Sequence, residues 1–150
     1  GLKSFLESFE VARFIRNHSK KNDRIAVLGS EPQIYFFSHR KSATRHIYMY
    51  PLMERHAYAR KMQAELIQEV EATQPKFVVV ANLGGSWVSP RPHISPILKE
   101  WTQNYLNDEY EIQGVVDILS NGVTLYKWGD EAKGYHPQSR FHLLIYNRQP

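Results

Sequence analysis

The 150 residues contain no cysteine, which excludes disulfides, thiolate metal sites and cysteine nucleophiles. The absence does not locate the protein, because many periplasmic and many cytosolic domains do without cysteine. No run of apolar residues approaches the roughly 18 that a membrane-spanning helix needs. No basic segment followed by an apolar one opens the chain as a signal peptide would. Glycine-rich fingerprints are missing as well: after the apolar run ending at Leu28 there is one glycine, Gly29, and then Ser30-Glu31-Pro32. Without a second glycine the backbone cannot approach a pyrophosphate, and Glu31 would repel it, so a dinucleotide cofactor is not expected. No Gly-Lys-Ser/Thr occurs, hence no P-loop.

Metal and hydrolytic devices fail on spacing. Seven histidines are present, but none forms a His-Glu-x-x-His or His-x-His pair, and His39, His46 and His56 sit among cations that oppose a metal ion. Gly85-Ser86-Trp87 lacks the second glycine of a nucleophile elbow. Among the acids, Glu31, Glu54 and Asp117 are candidates for paired carboxylates, yet nothing places two of them at hydrolytic separation. No catalytic residue, no metal and no cofactor is assigned.

What is present suits one domain with its own core: 150 residues at 42% hydrophobic content bury enough surface to need no staples. Gly1, standing where an initiating Met would, is expected to be the remnant of a cleaved tag, and the chain a C-terminal piece of a longer protein. Leu2, Phe5, Leu6, Phe9, Ala12 and Ile15 recur at helical spacing and predict a helix over about 3–18. Ile25 to Leu28 reads as a short buried strand. Ser30 as N-cap and Pro32 in the first turn predict a helix over 32–38, with a second strand through the same residues as the alternative. His46 to Tyr50 reads as a short strand, 52–73 as the longest helix, stopped by Pro75, and Lys76 to Ala81 as a strand covered on both faces. A loop over 82–96 holds Gly84-Gly85, Trp87 and three prolines. A helix over 95–107 follows, then a hairpin, Tyr110 to Leu119 and Val123 to Trp128, turned by Asn121-Gly122, and a last strand over 141–146.

That order predicts an α/β, layered, Rossmann-like sandwich: a short mixed sheet with parallel core strands and a C-terminal antiparallel hairpin, helices on both faces. In such sheets ligands sit in loops leaving the carboxyl ends of strands, which makes 29–51 the expected working surface. Between His39 and Lys61 there are six Lys/Arg against one acid, in a chain whose net charge is +4. A basic segment of this kind meets phosphates, anionic lipid or nucleic acid, or is simply a solvated face. Tyr35, Tyr48, Tyr50, Trp87 and Trp128 either stack on a ligand or fill the core. Trp87 alone has no periodic pattern that would bury it. No ribonucleoprotein motif or dense basic stripe points to nucleic acid.

The succession Asp23-Arg-Ile-Ala-Val-Leu-Gly-Ser-Glu-Pro-Gln-Ile-Tyr35, Ser38-His-Arg40, Ser42-Ala-Thr-Arg45 and Tyr48-Met-Tyr-Pro51 resembles a known kind of soluble tail. So do Gln74-Pro-Lys-Phe-Val-Val-Val80 and Leu125-Tyr-Lys-Trp128. It is similar to the C-terminal extracytoplasmic domain of bacterial polytopic membrane glycosyltransferases related to dolichyl-phosphate-mannose protein mannosyltransferases. The resemblance implies a parent enzyme that takes sugar from a polyprenyl-phosphate donor, with its catalytic carboxylates in the membrane part. The domain alone would then be inactive, on the periplasmic face, covering the active site or touching acceptor, donor phosphate or lipid headgroups. Its expected partner is the membrane-embedded part of the same polypeptide. Glu31, Tyr35, Arg40, Arg45, Tyr48 and Trp87 are the candidate binding residues, Arg40 and Arg45 together serving a phosphate. The alternative is a free-standing α/β module binding a small molecule or nucleic acid.

Overall fold

The computed structural model describes residues 2–49, 52, 57–83 and 96–150, with side chains from Phe5 onward and, after the last gap, from Ile97. Helix α1 (Leu2–Asn17) leads into β1 (Ile25–Leu28) and the short α2 (Gln33–Ser38). After α3 (Ala59–Thr73) come β2 (Phe77–Asn82) and α4 (Pro96–Glu109). The hairpin β3 (Tyr110–Ile118) and β4 (Thr124–Trp128), the single turn α5 (Asp130–Lys133) and β5 (His142–Arg148) complete the chain. The sheet order is β1-β2-β5-β3-β4, parallel between β1 and β2 and antiparallel elsewhere. The expected mixed sheet with a parallel core pair and an antiparallel hairpin at its edge is present.

Why the runs become strands follows from their two-sided burial. Ile25 and Val27 face one way and pack with Val11, Ala12 and Ile15 of α1, Ile34 of α2, Phe77, Val79, Leu143 and Ile145. Ala26, Leu28 and Val78 face the other way, against Leu66 and Val70 of α3 and Leu98 and Leu106 of α4. An apolar residue at every position is what a strand between two helical layers requires. Trp128 fits because Gly114 opposite it has no side chain, and the indole lies flat on Phe14 with ring centres 4.1 Å apart.

Four expectations are revised. His46 to Met49 forms no strand, because β1's free edge is already taken lower down: Ile25 N–H donates to Lys41 O at 3.1 Å and Ala43 N–H to Ile25 O at 2.8 Å. Residues 57–58 form a turn and the described helix begins at Ala59, while 53–56 lie outside the described residues. Ser30 does not cap α2, whose N-cap is Pro32 with no side-chain cap; the Ser30 hydroxyl instead accepts from Met49 N–H at 3.3 Å. Finally, α1 buries Glu7, Ser8, Val11, Ala12 and Ile15, and leaves Phe5, Leu6 and Phe9 exposed. The apolar spacing marks a helix correctly but names the wrong face for its first half.

Gly29 is fixed by contact with β2. Its φ is +141°, and a Cβ there would stand 2.7 Å from Ala81 Cβ and 3.0 Å from Ala81 O. Backbone and sheet would both have to move for any side chain. Gly29→Val is therefore expected to lower unfolding free energy by about 2 kcal/mol or more, read as a lower urea midpoint; an unchanged midpoint would show that the loop relaxes freely.

Candidate functional site

Residues 29–51 were the expected surface, and the structure uses most of them to build the domain. Tyr35 turns from α2 onto β1, where its hydroxyl accepts Val27 N–H at 2.8 Å; burial pushes its pKa up. Since Val27 N–H would otherwise point out of the sheet's open edge, Tyr35 closes that edge. Glu31 is half-buried, and its Oε2 accepts from the Gln33 amide and from Ser8 Oγ (3.4 Å) on α1. Burial raises the Glu31 pKa, and those two donors offset the rise in part.

Arg40 is 9% exposed. Its Nε donates to Ser19 Oγ (2.9 Å), Nη1 to the carbonyls of Ser38 (3.4 Å) and His39 (3.1 Å), and Nη2 to those of Arg16 (3.2 Å) and Ser19 (3.0 Å). A guanidinium has five N–H donors, and all five are engaged. Arg40 satisfies carbonyls at the C-terminal ends of both α1 (Arg16, Ser19) and α2 (Ser38, His39), where a cation also meets the negative end of the α1 dipole.

Arg45 lies on the opposite side of the sheet from Arg40, against α3. It is exposed and paired with Glu69 at 3.4 Å, beside Thr44 Oγ1, which donates to Glu69 Oε1 (3.2 Å), and the buried His46, whose Nε2 is 3.1 Å from Glu65 Oε2. Arg40 and Arg45 thus belong to different layers and do not converge on one phosphate. Tyr48 is exposed. Trp87 lies outside the described residues.

A better-formed site lies where β2 ends. Between α4 and the sheet runs a groove of about 450 Å³. Its floor is Val80, Leu144 and the ring of Tyr146; its walls are Lys99, Thr102, Gln103 and Asn107 of α4, and its rim is Asn82 and His142. The rim is set by register: Asn82 is paired with His142, and His142 with Asp117, across β2, β5 and β3. His142 Nδ1 bonds the carbonyl of Ser139 at 2.8 Å; the acceptor being a carbonyl, Nδ1 is the donor and Nε2 is left facing outward from that bond.

Behind the rim, Asp117 is fully buried. It accepts from Tyr135 O–H (2.6 Å), Gln138 N–H (2.8 Å) and Ser139 N–H (3.1 Å). Burial would raise its pKa, but these three donors and nearby His142 outweigh it and hold the carboxyl below its usual range. The same contact pushes the Tyr135 hydroxyl up to about 12. Asp117 thereby ties loop 134–141 to the sheet and orients His142 through Ser139. A larger hollow of about 550 Å³ under the hairpin turn is walled by turn residues Leu119, Ser120 and Asn121 and by Gln138 to Phe141. It has no comparable set of amide and imidazole side chains.

The groove offers hydrogen bonds in both directions above an apolar floor. Among the described residues, no hydroxyl is hydrogen-bonded to a histidine ring, and no three His, Asp or Glu side chains gather to hold a metal. Its lining combines amide, hydroxyl, imidazole and ammonium groups with apolar side chains. The sequence reading named Asp117 only as a loose carboxylate and passed over Asn82, Gln103 and His142. No local motif marks them, because the order β2-β5-β3 assembles the rim from segments far apart in the chain. Comparison with known protein families, with curated proteins and with solved structures finds no match to this chain.

Two outcomes test these roles. Arg40→Ala should cost about 2–4 kcal/mol of stability, since it strands buried carbonyls, and Arg40→Lys, with three donors for five, should recover only part; equal stability of all three proteins in chemical denaturation would refute the role. The lowered Asp117 pKa stabilises the fold above the unfolded carboxyl value near 4 and stops doing so as pH falls through the folded value. Wild type should therefore lose stability on acidification through that window, and Asp117→Asn should lose less.

Proposed function

We propose that this chain is a non-catalytic accessory domain of a membrane glycosyltransferase that uses a polyprenyl-phosphate-linked sugar, and that it works by binding the acceptor. The observation that carries the reading is the groove at the carboxyl end of β2. Sugars present hydroxyls around an apolar ring edge, and the groove presents the amides of Asn82, Gln103 and Asn107 and the ring of His142 around Val80, Leu144 and Tyr146. That is the usual make-up of a small-molecule site, an apolar pocket with a few placed polar groups. The resemblance of residues 23–51, 74–80 and 125–128 to the soluble tails of such enzymes supplies the context. The transferring carboxylates would lie in the membrane part, so the domain contributes affinity and orientation for acceptor.

A lost hydrogen bond costs about 0.5–1.5 kcal/mol, so two lost amides amount to about tenfold in affinity. In the membrane protein that carries this domain, Asn82→Ala with Gln103→Ala should raise the acceptor KM about tenfold while kcat stays within about twofold. Unchanged kinetics would overturn the acceptor role. A reading frame around this segment without a series of membrane-spanning helices would remove the glycosyltransferase reading and leave a free-standing small-molecule module that uses the same groove.

A further inference from the structure

The exposed apolar side chains are concentrated at one end of the molecule. Strands β1, β2 and β3 all finish at the same end, because β3 and β2 are each antiparallel to β5. The first half of α1 reaches that end, where Ser8 meets Glu31 just past β1 and the Glu7 carboxylate accepts from Thr124 Oγ1 at the start of β4 (2.5 Å). Helices α3 and α4 also begin there. Every large exposed apolar side chain among the described residues belongs to this half: for example Leu6 on α1, Phe36 on α2, Tyr48 along β1, Tyr58 before α3, Ile97 at the head of α4 and Val123 in the hairpin turn. Phe36 is 75% exposed and Leu6 57%.

They come from both faces of the sheet and from its edge, so they ring an end and do not line a groove. A ring of this kind meets a flat partner. In α1 Glu7 and Ser8 are buried while Leu6 faces outward, and Phe5 and Phe9, packed edge-on against Phe37 at 5.4 and 5.3 Å, stay partly exposed; this breaks the local patterning rule. The partners of Glu7 and Ser8 fix which face is buried, and apolar side chains left on the other face are what a membrane-facing helix end would carry.

The charge at this end selects the partner. Acids normally occupy the first turn of a helix. Here α3 opens with Arg60 and Lys61 and α4 has Lys99 in its first turn, neither first turn holding an acid. None of these three cations forms an ion pair with a described residue. The positive ends of three long helices point the same way. We infer that this end of the domain docks on an anionic lipid bilayer, the apolar side chains entering the headgroup boundary and Arg60, Lys61 and Lys99 meeting the headgroups. The inference takes from the proposed function only that the domain works beside a membrane. The groove opens at this same end and shares Lys99 with it, but Leu6, Phe36, Arg60 and Lys61 do not line the groove, so each reading can fail alone.

Vesicle co-flotation of the 150-residue chain tests it, comparing phosphatidylcholine vesicles with ones containing about a third phosphatidylglycerol. The chain should bind the anionic vesicles, and added salt should weaken the binding. Leu6→Ser with Phe36→Ser, which changes no charge, should weaken binding about tenfold, as should Arg60→Glu with Lys61→Glu. Lys20→Glu with Lys21→Glu, the same charge change at the opposite end, should leave it within about twofold. Circular dichroism shows that each variant is folded. Failure of the wild type to float with either vesicle overturns the inference, and so does equal weakening by the Lys20 and Lys21 pair. Self-association that Leu6→Ser with Phe36→Ser abolishes, without vesicle binding, would assign the surface to a second copy of the chain.

Discussion

Strand β5 sets the register of the sheet, because it is last in the chain and yet lies in the middle. On one side it pairs with β2 from Phe77↔Asn147 to Asn82↔His142, and on the other with β3 from Tyr110↔Arg148 to Asp117↔His142. Without it the parallel pair β1-β2 and the hairpin β3-β4 are two separate ribbons, neither of which buries both faces. Leu143 and Ile145 complete the core on the α1 side, and Leu144 and Tyr146 form the floor of the groove on the α4 side. One strand thus joins the halves of the core and creates the cleft between helix and sheet. Pairing it requires contacts of long sequence separation, and those are the slow ones to form.

Much of the fold was legible because its signals are local. Ile25 to Leu28 and Phe77 to Ala81 are apolar at nearly every position, which only a two-sided layer explains, and Asn121-Gly122 places a hairpin turn where one occurs. The misreadings came from competition that no window can see. Ile47-Tyr48-Met49 has the composition of a strand, but Lys41 and Ala43 already occupy the neighbouring edge of β1, and Thr44, Arg45 and His46 are bound instead to Glu65 and Glu69 on α3. In α1 the helical period is correct, and the buried face differs because Glu7 and Ser8 have partners on β4 and beyond β1.

The site was less legible, and the reason is chemical. A cation in a loop after a strand looks the same in sequence whether it binds a phosphate or a row of backbone carbonyls. Arg40 does the second, as its five hydrogen bonds show. Tyr35, a candidate binding residue by sequence, is an edge cap. The groove residues had the opposite fault: Asn82, Gln103 and His142 look unremarkable one at a time and acquire meaning only when β5 brings β2 and β3 together. Position relative to the carboxyl ends of strands does not tell which side chains there are free and which are used to build the fold.

The flat stack of Trp128 on Phe14, with His18 stacked on the other side of Phe14 at 4.0 Å, has a practical consequence. It places an indole where the docking of α1 sets its surroundings, in a protein whose other tryptophans are Trp87 and Trp101. Coupled aromatic rings held at a fixed angle give near-ultraviolet optical activity, and an indole released into water shifts its emission to longer wavelength. The domain therefore carries its own optical gauge of whether the first helix is seated. In a chain whose first helix also reaches the end we assign to the membrane, that gauge distinguishes attachment of the intact domain from attachment by partial unfolding, with no label added.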